Sequence, residues 1–362
     1  MNKGKMVSLS VLLAVMTLGF VLFPRSFVEA KSFRLNIGTG HPAGPAIWVN
    51  RLKDFFVPEV MKRVEASTNH KMEFIAAYGG SVAKLGEVLE AVQDGILDAG
   101  IVCYVFEPSK LYMHNFCYYA PFGTPDIMQN ARLSVKLHDQ QPYLKEVFEK
   151  KYNQKWLAPG TLDSYDVVTK FPWKKIDELK NHKIAGAGPN LPWVKCVGAI
   201  PVQFTLVEAY TSIQTGVYEG AIMWPDGVAG FKLHEVAPFY THVGFGAISV
   251  MCISVNLDVW NRLPKEIQKI MMEVASEYTT DLAKASVAKR ERSFKAMEKT
   301  GTTFSTLPFE ERQRWANLMP NFADQAAKKA NKMGMPGSAI MKTWIELQEK
   351  DGYKFPRKWD VK

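Results

Sequence analysis

The chain has 362 residues, 47% of them hydrophobic, and 45 Lys and Arg against 36 Asp and Glu give a formal net charge of +9. That length exceeds the usual size of a single core, so two lobes are expected. The charge does not mark a nucleic-acid binder: basic and acidic residues alternate, as in KRERSFKAMEK at 289–299, and no arginine-rich stripe carries stacking aromatics, so no nucleic-acid partner is expected.

At the N-terminus Lys3 and Lys5 precede an apolar run from Met6 to Phe23, and Val28-Glu29-Ala30 follows. This pattern predicts an export signal, residues 1–30, cleaved after Ala30. An uncleaved anchor is the rival, because the run nearly reaches the length of about twenty residues that spans a bilayer. No cysteine follows the site, which argues against a lipoprotein, and no comparable apolar run follows Lys31. Cys103, Cys117, Cys196 and Cys252 stand among apolar neighbours with no CxxC pair. Buried free thiols are the expectation, a Cys103–Cys117 disulfide the alternative for an exported chain, and metal binding is weakly supported.

Next come strand-like FRLNIG (33–38), a Gly/Pro turn, and a helix from about Ala46 to Val64 with Trp48, Leu52, Phe55 and Phe56 at helical spacing. KMEFIAAY (71–78) predicts a second strand, Lys84 to Ile96 a helix, and AGIVCYV (99–105) a buried strand. This alternation predicts an α/β lobe with a largely parallel sheet. After a helical stretch at 127–151, KWLAPG, YDVVTK (165–170), HKIAGA (182–187), IPVQF (200–204), a helix over 207–215 and EGAIMW (219–224) predict a second α/β set. Apolar AISVMCISV (247–255) is expected to return to the first lobe, Pro264 opens a long helix, and further helices are predicted over about 308–333 and 337–350. The expected organisation is lobe I from 31–160 with 247–290, lobe II from 161–246 with 291–362, and a ligand cleft between them.

Three stretches imitate catalytic motifs and fail in context. Gly38-Thr39-Gly40-His41-Pro42-Ala43 matches a dinucleotide loop formally, but the next strand ends on Tyr78-Gly79-Gly80 where a ribose-binding acid belongs, and Pro42 and Pro45 crowd the turn. In His234-Glu235-Val236-Ala237-Pro238 proline replaces the second histidine of a zinc-protease helix. Gly80-Ser81-Val82 lacks the second glycine of a nucleophile elbow. No catalytic residue and no cofactor is assigned.

In order, the export signal, TGHPAGPA (39–46), YGGSVAKLGEVLEAVQDGILDAGIV (78–102), YAPFGTPD (119–126), WKKIDELKNHKI (173–184) and GAIPVQFTLVEAYTSIQTGVYEGA (198–221) resemble the solute-binding proteins of TRAP transporters, the DctP-like family. The likeness runs from about Phe33 to Leu282 and is most specific over 198–220. It implies a periplasmic protein without catalysis, a two-lobed fold closing on an organic acid, and delivery to membrane permease subunits. A monomer is expected.

Two positions depart from the family pattern. The arginine that grips the ligand carboxylate in most members falls on Ala185, and a polar Gln-Glu-Asn before proline becomes Ile222-Met223-Trp224 before Pro225. Both changes remove polar groups, so a more aromatic cleft for a ring-containing acid is expected, with candidate walls from Tyr78, Tyr104, Tyr165, Ala185, Trp193, Phe204 and Trp224. Core packing is the plain alternative for each aromatic. A carboxylate would then fall to His41, to Lys195 or to backbone amides, and Glu87 and Asp226 could accept hydrogen bonds or ligate a bridging cation. Competing expectations are a small carboxylate or dicarboxylate held by a relocated cation, a periplasmic sensor subunit, and a secreted hydrolase, against which the missing motifs argue.

Overall fold

The structure is a computed structural model that describes residues 30–362; the predicted export signal, apart from its last residue Ala30, lies outside them. Among the described residues no helix is long and apolar enough to cross a membrane.

Two sheets organise the chain. The first contains β1 (Ser32–Gly38), β2 (Lys71–Ala77), β3 (Ala99–Cys103) and β4 (Gln154–Leu162), joined late by β10 (Ile248–Asn256). The second contains β5 (Asp166–Thr169), β6 (Lys183–Gly186), β7 (Ile200–Gln203), β8 (Gly220–Met223), β9 (Phe239–His242) and β11 (Thr303–Thr306). Strand order is β2-β1-β3-β10-β4 in the first and β11-β9-β5-β8-β6-β7 in the second. The apolar 247–255 segment does return to the first sheet, where every residue of β10 is buried between β3 and β4. It runs antiparallel to both, so the sheet is mixed rather than largely parallel. KWLAPG, read in chain order with the second set of strands although inside the 31–160 bound of lobe I, belongs to β4 of the first sheet: its apolar run says strand, but nothing local says which sheet.

Several boundaries move for identifiable reasons. The predicted 84–96 helix shortens to Val88–Gln93, because the preceding loop packs on the turn after β1: a Cβ on Gly40 would lie 2.6 Å from the Leu85 backbone. This contact, not a phosphate, explains the glycine in the dinucleotide look-alike. The predicted 308–333 helix breaks at Pro320 into Phe309–Leu318 and Phe322–Lys332.

The chain passes between the sheets at 163–165 and 243–247, and these segments bond to one another: Tyr165 N–H donates to Gly246 O at 3.1 Å and Phe245 N–H to Tyr165 O at 2.9 Å. Asp166 braces the crossing, accepting from Val243 N, Gly244 N and the Tyr240 hydroxyl, each at 2.8 Å. The helix Lys265–Lys299 runs along both sheets; Thr279 donates to Pro159 O of β4 at 2.8 Å, while Phe294 packs edge-on against Tyr240 of β9.

Candidate ligand site between the sheets

Strand ends from both sheets meet at a narrow slot. The first sheet contributes His41 after β1, Cys103 at the end of β3, Leu162 at the end of β4, and Val250 and Met251 of β10; Trp48 enters from the first turn of the helix over 47–67. Opposite stand Tyr165 before β5, Ala187 after β6, Phe204 and Leu206 after β7, and Ile222 and Trp224 at the end of β8. The cavity volume is about 40 Å³, within about 470 Å³ of non-atom space extending to the mouth. Because its walls belong to different sheets, room for a ring comes from separating them, the hinge motion of two-lobed binders.

The slot is aromatic and carries no formal cation. Tyr165 stacks on Trp224 with centroids 5.4 Å apart and planes at 22°; Trp224 lies 6.0 Å from Trp48, and His41 meets Trp48 edge-on at 4.9 Å. The Trp224 ring rests over Gly227, where a Cβ would come within 2.7 Å of it. His41 is neutral here: burial pushes its imidazole down to about 3. Its Nδ1 lies 3.8 Å from Cys103 Sγ, and burial raises that thiol to about 12, so the two do not form a thiolate–imidazolium charge pair. His41 Nε2 and Trp48 Nε1 are buried without a hydrogen-bond partner.

Of the sequence candidates, His41, Tyr165, Phe204 and Trp224 line this slot. The others sit elsewhere. Tyr104 packs in a separate cluster with Leu111 and Phe148, its hydroxyl accepting from Trp156 Nε1 at 3.3 Å; it alternates with Cys103 and Val105, which take the slot side. Trp193 is fully buried, donating from Nε1 to Tyr118 O at 3.1 Å and packing 4.9 Å from Phe245. Ala185 lies inside β6 between Val202 and Ala221, and Ala187, two residues on, reaches the slot. Tyr78 is half-buried at the end of β2, within electrostatic reach of Asp54. Glu87 is exposed and closes a turn, accepting from Lys84 N at 2.9 Å. Asp226 is buried behind Trp224 with its carboxylate 3.3 Å from Lys289 Nζ. Lys195 is exposed in the last turn of Leu191–Lys195. Neither relocated cation therefore reaches the slot as a charge. Trp48 and Met251 were missed, because helical spacing and strand apolarity read equally as core.

The turn at 186–190 is held by Asn190, whose side chain accepts from Ala187 N at 2.9 Å; Gly186 leaves space for that oxygen and Gly188 takes a φ of +87°. Gly188, Pro189 and Trp193 face a second hollow, shared with Tyr112, Tyr118 and Tyr119 and touching the slot at Val105. All four cysteines are free, Cys196 half-buried and the rest buried. His234, of the protease look-alike, sits in a short turn with Nδ1 3.4 Å from Val228 O. Among the described residues no group of three or more His, Cys, Asp or Glu is placed to hold a metal ion.

Two sheets, chain crossings between them and a buried interlobe slot define a two-lobed ligand-binding protein. The chain belongs to the family of bacterial extracellular solute-binding proteins, family 7 (DctP), whose model matches residues 53–330. It is 30% identical over 141 residues to the C4-dicarboxylate-binding periplasmic protein DctP of Rhodobacter capsulatus, covering 38% of this chain and 41% of that protein's length. The fold is similar to a TRAP periplasmic solute-binding protein from Desulfovibrio salexigens in an open complex (TM-score 0.75, 19% identity, 90% of this chain and 98% of the other). It is equally similar to a TRAP solute-binding protein from Rhodoferax ferrireducens in complex with copurified benzoate (TM-score 0.75, 18% identity, 88% and 98%).

Proposed function

We propose that this chain is the solute-binding component of a TRAP transporter, capturing a ring-containing organic acid in the periplasm and delivering it to membrane permease subunits. The observation that carries this proposal is the interlobe slot, walled by the Tyr165–Trp224 stack on one side and His41 with Trp48 on the other. A flat ring matches such walls, gaining hydrophobic burial plus about 0.5–1.5 kcal/mol per aromatic pair. The benzoate complex of the Rhodoferax protein supports a ring ligand in this fold. In this account the protein performs no chemistry of its own: the slot's thiol and imidazole are both held neutral by burial. We take the lobes as 31–160 with 247–290 and 161–246 with 291–362, residues 1–30 as a cleaved export signal, and the mature protein as a monomer.

A thermal-shift panel on the mature chain tests this. A ligand at a hundred times its dissociation constant stabilises by roughly 2.7 kcal/mol, a readable shift. Aromatic and alicyclic ring compounds should raise the melting temperature where succinate does not; a shift with succinate alone rejects the ring slot.

A further inference from the structure

We propose that the slot takes the polar end of its ring ligand in uncharged form, as a carboxamide or protonated acid rather than a carboxylate. This inference rests on the ring-slot proposal above. The slot's lining residues include no Lys, Arg, Asp or Glu. Two closed pairs flank it: Lys289, behind Trp224, is shared between Asp226 at 3.3 Å and the Pro45 carbonyl at 2.8 Å, and Arg290 lies 3.1 Å from buried Asp163, which stands in the chain between the lining residues Leu162 and Tyr165. An anion placed against Trp224 would therefore meet Asp226, and the neighbouring cations Lys289 and Arg290 are already engaged by Asp226 and Asp163. A buried charge without a partner is far costlier than a buried amide that finds hydrogen bonds.

What the slot does offer suits a neutral carbonyl group. Trp48 Nε1 is a donor, and His41 Nε2 is a donor in one neutral tautomer and an acceptor in the other; both are buried and unpartnered on rings 4.9 Å apart. A carboxamide or undissociated acid presents both an acceptor oxygen and a donor hydrogen, whereas a carboxylate presents acceptors alone. The other titratable groups lining the slot, Cys103 on β3 and Tyr165 before β5, are both pushed upward by burial and stay uncharged at neutral pH, so neither supplies a counter-ion.

The test is titration calorimetry of the mature chain with benzamide, benzoate and succinate between pH 5.5 and 8. Benzamide should bind with an affinity that does not change with pH. Benzoate should weaken about tenfold per pH unit, tracking the vanishing protonated acid. Trp48→Phe, checked for folding by its melting curve, should weaken both benzamide and toluene through the smaller wall, and benzamide about tenfold more than toluene, the size expected for one lost hydrogen bond. Benzoate binding as tightly as benzamide at pH 8, with no pH dependence, overturns the inference while leaving the ring slot standing. Binding of succinate alone, or of none of the three, removes the ring slot itself and the inference with it.

Discussion

Lys289 joins three parts of the molecule, and its replacement gives a sharp energetic prediction. From the long helix its ammonium reaches Asp226 on the helix Pro225–Gly230 and the carbonyl of Pro45 in the turn after β1. Asp226 is 1% exposed, and Lys289 is its one charged partner beside weaker contacts from the Trp224 indole and its own backbone amide. In Lys289→Met the carboxylate loses its counter-charge and escapes by taking up a proton. Against an unfolded carboxyl value of about 3.9, protonation at pH 7 costs about 4 kcal/mol at 1.36 kcal/mol per unit, which sets the ceiling on the destabilisation. At pH 5 the same ceiling falls to about 1.5 kcal/mol. Burial already holds the Asp226 carboxyl above its ordinary value in the wild type, with Lys289 opposing, so the variant lies below the ceiling at both pH values. The sign is fixed: raising a folded-state carboxyl value removes stability as pH rises, so the penalty grows from pH 5 to pH 7. Urea unfolding of wild type and variant at the two pH values reads this, and Asp226→Asn in the Lys289→Met background should recover most of the loss. A penalty equal at both pH values, or below about 1 kcal/mol at pH 7, refutes the buried-pair account.

Gly227→Ala places a methyl group within 2.7 Å of the Trp224 ring and should push the indole into the slot, weakening ring ligands and costing about 1–3 kcal/mol of stability; titration and melting curves check both. Asp163, 1% exposed beside Arg290 at 3.1 Å, is pushed up to about 6 by burial with Arg290 opposing. Its folded value lies above its unfolded one, so its contribution to stability falls as pH rises from about 4 to about 6, and Asp163→Asn should flatten that part of the wild-type pH–stability curve. Tyr104→Phe removes the acceptor of the Trp156 bond outside the slot; it should lower stability by about 1 kcal/mol and leave ligand affinity unchanged, as paired melting and binding curves would show.

Much of the fold was legible because periodicity is local. The buried run of β10 and the regular apolar spacing of the long helix announce themselves in the sequence. Sheet membership was not local: β4 needed a partner almost a hundred residues away, and β9 and β11, four residues each, pair with one another only because the long helix brings them together. The site was half legible for the same reason. Tyr165 and Trp224 stood at strand ends, where a cleft forms, and the structure stacks them. Tyr104 and Trp193 occupied similar positions in the sequence but turn toward Trp156 and Tyr118, a choice set by which side of the backbone faces the neighbouring lobe. Trp48 carried no signal separating it from its helical neighbours Leu52 and Phe56, since only the opposite lobe makes it a wall.

The central claim is that a ring lies between the two aromatic walls. Anomalous diffraction from crystals of the mature protein with 4-bromobenzamide would locate the bromine directly. The account predicts a peak within the slot, between the Tyr165–Trp224 stack and the His41–Trp48 pair. A peak instead in the neighbouring hollow of Tyr112, Tyr119 and Trp193, with the slot still closed, would contradict it.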